Sequence, residues 1–102
     1  MTHIESTKNL LKGYSSRELA ADDRAILISG LRAWYRSPDR DRFHGRCFEV
    51  ILNRYIIIHP MKLTQVGEIY GLSENNAGRD VREGIQLLSK HLPQPLPALT
   101  GS

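Results

Sequence analysis

Residues 62–90 read KLTQVGEIYGLSENNAGRDVREGIQLLSK, and the fold turns on this stretch. Leu63, Val66, Ile69 and Tyr70 recur at helical spacing and mark one apolar face. The pattern stops at Gly71, and a glycine just past a helix end supplies the left-handed backbone that caps it without steric cost. Leu72 follows as an apolar plug, and Ser73 is a good N-cap for a second helix. In that helix Ala77, Val81, Ile85 and Leu88 line one face. Gly67 stands four residues before the turn glycine, where a side chain is expected to collide with the second helix at the crossing. A small residue, a turn glycine, an apolar plug and a short polar second helix together make the helix-turn-helix signature.

The segment VGEIYGLSENNAG resembles the C-terminal domain of sigma factors, which reads the upstream promoter element, and related small phage and plasmid regulators. Val66, Gly67, Gly71, Leu72, Ser73, Ala77 and Val81 carry the likeness in order, which extends over roughly residues 46–90. Two positions depart from the family pattern. Asp80 is acidic where a basic or neutral polar residue is usual, which disfavours a nearby phosphate. Gly78 lies inside the second helix, where glycine costs about 1 kcal/mol relative to alanine. The resemblance implies that the helix before residue 62 packs across the pair and completes a three-helix unit.

Upstream of this unit the periodicity stays helical. Phe43, Cys47, Val50, Ile51, Tyr55 and Ile58 form one apolar stripe, with Arg42, Arg46, Glu49 and Asn53 on the opposite face. This helix is expected to run to His59-Pro60, where proline forbids continuation. The triplet Ile56-Ile57-Ile58 suggests an end covered on several sides. The charged turn RSPDRDR precedes it, with Asp39 or Asp41 as its cap. Before that, Ser15 and Glu18 show capping-box spacing and open a helix of about 20 residues, stopped near Arg36 by Pro38. The spacing of Leu19, Leu27, Leu31, Trp34 and Tyr35 fits a helix whose only Trp anchors the core, while Ile26 and Ile28 widen its apolar face toward deep burial or a dimer contact. Residues 3–12 can form a short first helix ended by Gly13, so residues 1–14 read as an arm or short helix. Residues 15–92 read as the helical domain. Residues 93–102, PQPLPALTGS, read as an extended, proline-rich tail.

The 102 residues suit one domain, and 40% apolar with 25% charged residues is ordinary for a globular chain. No apolar run approaches the roughly 18 residues that span a membrane, and the N-terminus lacks a signal-peptide core. One cysteine excludes an intramolecular disulfide. A cytoplasmic protein is the default expectation. The net charge is +3. Residues 1–38 hold six Lys/Arg and four Asp/Glu, residues 39–61 four and three, and residues 62–92 four and four. The expected DNA-reading unit is therefore not itself basic.

Catalytic and metal chemistry find little support. His44 and Cys47 stand three apart, but no second Cys/His pair completes four ligands, and Cys47 falls on the apolar stripe. Asp22-Asp23 and Asp39/Asp41 sit at helix starts or on solvated faces, and no phosphate-cradling glycine loop is present. Neither an enzyme nor a cofactor is expected.

The expected fold is all-α, with four or five helices and a C-terminal helix-turn-helix completed as a three-helix unit. The expected function is a small sequence-specific regulator of transcription bound to double-stranded DNA. In this class the first half of the second helix enters the major groove. Glu74, Asn75, Asn76, Arg79 and Arg82 are then the base-contacting candidates, since Asn pairs its hydrogen bonds with adenine and Arg with guanine. Lys62, Ser73, Arg42 and Arg46 are the phosphate-contacting candidates. The alternative is a protein-interaction module that mimics a sigma-factor domain and binds RNA polymerase or another regulator. A homodimer through residues 16–36 is the expected assembly, because one unit rarely supplies enough contacts.

Overall fold

The computed structural model describes residues 2–37, 42–94 and 96, the side chains of residues 42–44 excepted. Among these residues the chain is all-helical, with five α-helices and no strand: α1 (His3–Ser15), α2 (Ala21–Tyr35), α3 (Arg42–Ile51), α4 (Leu63–Tyr70) and α5 (Glu74–Ser89). A π-helical turn, Leu52–Ile56, continues α3. No helix among the described residues is long and apolar enough to cross a membrane.

The core gathers on α5, which packs against all four other helices. Its composition explains this. Ala77, Val81, Gly84, Ile85, Leu87 and Leu88 are buried, and the adjacent pair Leu87-Leu88 surrounds the C-terminal half with apolar neighbours. At Gly84 a Cβ atom would lie 2.5 Å from Ile51 Cγ1, so the missing side chain sets how closely α3 crosses α5. Trp34 of α2 is fully buried and meets Phe48 edge-on, with ring centroids 5.0 Å apart.

The N-terminal third departs from expectation. α1 runs through Gly13 to Ser15, and Leu10 and Leu11 at its centre are 1% and 0% exposed. It is a core helix, capped by Thr2, whose Oγ1 accepts from Glu5 N. Gly13 is a packing site: a Cβ there would lie 2.7 Å from Leu19 Cδ2. The expected capping box at Ser15 and Glu18 does not form. Arg17 takes the left-handed region at φ 61°, and the Glu18 amide donates back to Gly13 O at 2.9 Å. That closes α1 in a reversal usually built on glycine. The Arg17 guanidinium donates to Ile58 O at 3.2 Å, which helps hold the turn. α2 therefore opens at Ala21, with Ala20 as an N-cap that makes no side-chain bond. It stops at Tyr35 with Arg36 as C-cap, as expected. Asp22 and Asp23 fall at a helix start, in the first turn of α2, with Asp22 exposed and Asp23 buried.

The helix expected to reach His59-Pro60 ends earlier. From Leu52 it widens to π geometry, and Ile57 N donates to Leu52 O at 3.0 Å. Ile57 is then extended, at φ −62° and ψ 162°. The extra residue in that turn and the early exit rotate the end of the stripe away from the core. Cys47, Val50, Ile51 and Tyr55 are buried, but Ile58 is 74% exposed, so the isoleucine triplet is not covered throughout. The capping role expected of Asp39 or Asp41, and the placement of the Phe43 and His44 side chains, lie outside the described residues. So does most of the expected proline-rich tail.

Candidate nucleic-acid interface

α4 and α5 are joined by Gly71, Leu72 and Ser73 alone. α4 begins after Lys62, whose amide donates to Gln65 Oε1 at 2.8 Å. It buries Val66 and Gly67 and half-buries Leu63 and Tyr70. Ile69 leaves this face and is 55% exposed. The Tyr70 hydroxyl accepts from Asn53 Nδ2 at 2.7 Å, tying α4 to the π-helical turn. Asn53, on the face opposite the apolar stripe, is half-buried there.

The turn follows the expected chemistry with one correction. Gly71 is the C-cap in the left-handed region, at φ 66° and ψ 33°, and its amide donates to Gly67 O. Leu72 N donates to the same carbonyl at 2.7 Å. A Cβ on Gly67 would lie 2.6 Å from Leu72 O. The collision that glycine avoids is therefore with the turn's own backbone, not with α5. Ser73 then caps α5, its Oγ accepting from Asn76 N at 3.2 Å.

From Glu74 to Gly84, α5 has two unlike faces. Ala77, Asp80, Val81 and Gly84 are buried. Glu74, Asn75, Asn76, Arg79 and Arg82 are all exposed, as are Lys62 and Ser73. The side chains of those five α5 residues make no hydrogen bond or ion pair among the described residues. They form an outward surface of one carboxylate, two amides and two guanidiniums beside a helix start whose first amides point outward.

Asp80 is the residue that sequence reasoning misread. It is fully buried, and Arg46 of α3 holds it with two hydrogen bonds, Nε to Oδ2 at 2.7 Å and Nη2 to Oδ1 at 3.2 Å. Its charge is cancelled inside the α3–α5 contact, so it does not oppose a phosphate at the surface. The same pair raises the Arg46 guanidinium above its ordinary pKa, chiefly through the hydrogen bond to Asp80. Arg46, expected among the phosphate contacts, is thus committed to an internal partner, with its side chain 34% exposed. The Arg42 side chain lies outside the described residues. A signal for Asp80 was present, because it stands three residues after Ala77 and four before Gly84, on the buried stripe.

Cys47 lies one residue beyond Arg46 and is fully buried, with its thiol 3.9 Å from Glu83 Oε2. Burial, with the negative Asp80 and Glu83 beside it, pushes the thiol up to about 11. Ligand atoms of Cys47, Asp80 and Glu83 lie within 4.8 Å of one another. Arg46 already supplies the positive charge there, so a cation would have to break the ion pair and deprotonate an unwilling thiol. The chain matches no protein-family model, no curated protein and no solved structure.

Proposed function

We propose that α3, α4 and α5 form a helix-turn-helix unit and that the protein is a small sequence-specific DNA-binding regulator of transcription. The observation that carries this reading is the outer face of α5. Asn75, Asn76, Arg79 and Arg82 are exposed and unengaged within the described residues, directly after a capped three-residue turn. Asn and Arg are the side chains that make paired hydrogen bonds to adenine and guanine in the major groove. Ser73, the first amides of α5 and Lys62 supply phosphate contacts at the groove's edge. Such a protein acts by steric exclusion or by recruiting polymerase, with no catalytic step.

Selection of bound sequences from a random duplex pool tests the reading. An enriched motif and salt-dependent affinity are the expected outcome. Replacing Asn76 or Arg79 by alanine should cost about 1–3 kcal/mol on the selected site and little on random duplex. No salt-dependent binding to either duplex would overturn it.

A second reading, a protein-interaction module that engages RNA polymerase or another regulator, has its own support. Residues 62–92 carry four basic and four acidic residues, and Ile69 of α4 is 55% exposed. On that reading the alanine variants leave DNA behaviour unchanged, and Ile69→Asp abolishes polymerase capture.

A further inference from the structure

Among the described residues α2 is covered on one side only. Asp23, Leu27, Gly30, Leu31 and Trp34 are buried. At about 100° per residue, the opposite direction runs along Ala25, Ser29 and Arg32, with Asp22, Ala33 and Arg36 beside them. All six are exposed. Both flanks are open. An apolar groove of about 360 Å³ lies toward α3, where Ile28 and Tyr35 stand over Phe48, Leu52 and Ile56. Tyr35 keeps 54% of its surface in solvent. A second hollow of about 630 Å³ lies toward the end of α5, between Ile26 and Leu92.

We infer that a second copy of this chain covers this face, with α2 packed antiparallel on α2 of the partner about a twofold axis at Ser29. Charge selects both the occupant and its direction. Asp22 and Arg36 stand at equal distances along the chain on either side of Ser29, about 21 Å apart along the helix. Neither makes a hydrogen bond or ion pair through its side chain among the described residues. An antiparallel twofold sets each Asp22 against the partner's Arg36, at both ends of the contact. A parallel twofold sets Asp22 on Asp22 and Arg36 on Arg36, which repel. Between those end charges, Ala25 meets the partner's Ala33 at the centre, and Arg32 lies opposite the partner's Ile26, one turn from the partner's Asp22. The half-buried Ile26 and Ile28 and the exposed part of Tyr35 supply the apolar area such an interface requires. The inference is independent of the DNA reading, and its test contains no nucleic acid.

Sedimentation equilibrium of the full chain reads the dimer constant. Wild type should dimerise. Asp22→Arg and Arg36→Glu should each weaken the dimer about tenfold or more, since each sets like charges at both ends. The double variant should return to near the wild-type constant. A wild type that stays monomeric at millimolar concentration, or a double variant as weak as either single one, overturns the proposal. Far-ultraviolet circular dichroism of each variant confirms that α2 has not melted. Crosslinking gives an independent check, because Cys47 is buried and does not compete. Ser29→Cys should oxidise to a covalent dimer. Ala25→Cys should fail to couple to itself but should couple to Ala33→Cys. Self-coupling of Ala25→Cys would mean a parallel pair and would overturn the arrangement.

Discussion

Arg46 and Asp80 join α3 to α5 through an ion pair in which the carboxylate is 0% and the guanidinium side chain 34% exposed. Coulomb attraction alone does not make such a pair stabilising, because both charges left water to form it. Its consequence appears when one partner is removed. Arg46→Ala leaves Asp80 buried and uncompensated, a change that costs about 3–5 kcal/mol in a fully buried pair. Arg46 is partly solvated, so the expected loss is about 2–3 kcal/mol, read as a lower midpoint in urea. Asp80→Asn, which keeps an acceptor for the guanidinium, should cost less. An Arg46→Ala midpoint equal to wild type would show that the pair does not form. If the loss appears, any weakening of DNA binding by this variant must be measured where the protein is still folded.

Cys47 gives the chain a defined alkaline weakness. Its thiol would ionise near 9.0 in the open chain and near 11 when buried, mainly through lost hydration and then through Asp80 and Glu83. An acid whose folded pKa is raised contributes full stability below the unfolded value. That contribution is lost as pH climbs from about 9 through about 11. Burial also raises Tyr55 and Tyr70 above the usual tyrosine range of 10, which adds to the decline at its upper end. Cys47→Ala should flatten the urea midpoint between pH 9 and 10 and lessen the steeper fall from 10 to 11, leaving there the part that belongs to the tyrosines. An unchanged profile would show that the thiol is not desolvated. The same burial predicts that a disulfide reagent reacts with Cys47 only as fast as the protein opens.

The two glycines at the α4–α5 turn should fail for different reasons when replaced. At Gly71 a Cβ would meet nothing within 4 Å, so the obstacle is the backbone alone, at φ 66°. Gly71→Val should cost at least about 1 kcal/mol, and Gly71→Asn distinctly less, because asparagine tolerates the left-handed region. At Gly67 the obstacle is space, since the new Cβ falls 2.6 Å from Leu72 O and cannot move past a backbone carbonyl. Gly67→Ala should therefore lose more stability than Gly71→Ala, although alanine is the better helix former. The reverse order in melting temperature would refute this division of roles.

Residues 62–90 were legible because each signal there is local. Gly71 caps, Ser73 bonds Asn76, and Ala77, Val81, Ile85 and Leu88 are buried at helical spacing. The N-terminal third was misread where contacts beyond the capping spacing, two of them within six residues and one across the chain, override the simplest local signal. Gly13 looked like a stop, yet it accommodates Leu19. Arg17 took a glycine-like turn that its bond to Ile58 supports. Ser15 and Glu18 had the right spacing for a cap, but Glu18's amide was already used to close α1. Asp80 was noticed but misread as a surface charge, because a single acid on an apolar stripe is interpretable only once Arg46 is known to face it. The π-helical turn has no marker in composition, and its effect is visible only in the exposure of Ile58.

Gly78 offers a gain rather than a loss. It lies inside α5, where glycine costs roughly 0.5–1 kcal/mol relative to alanine because the unfolded chain has more freedom to lose. The packing leaves room. A Cβ there would stand 3.6 Å from both Leu63 Cδ2 and Arg82 Nη1, ordinary contact distances, and the backbone is helical. Gly78→Ala should thus raise the urea midpoint with an unchanged slope, and raise the melting temperature by several degrees for a chain of this size. The new methyl would also touch Leu63 and strengthen the α4–α5 contact. Because the variant keeps Asn75, Asn76, Arg79 and Arg82, the proposed DNA reading expects the preferred duplex to bind at least as tightly as before. A lower midpoint would mean that α4 and α5 pack more closely at Gly78 than 3.6 Å allows. A raised midpoint with lost duplex binding would mean that the groove-facing surface includes Gly78 itself and needs the backbone bare at that point.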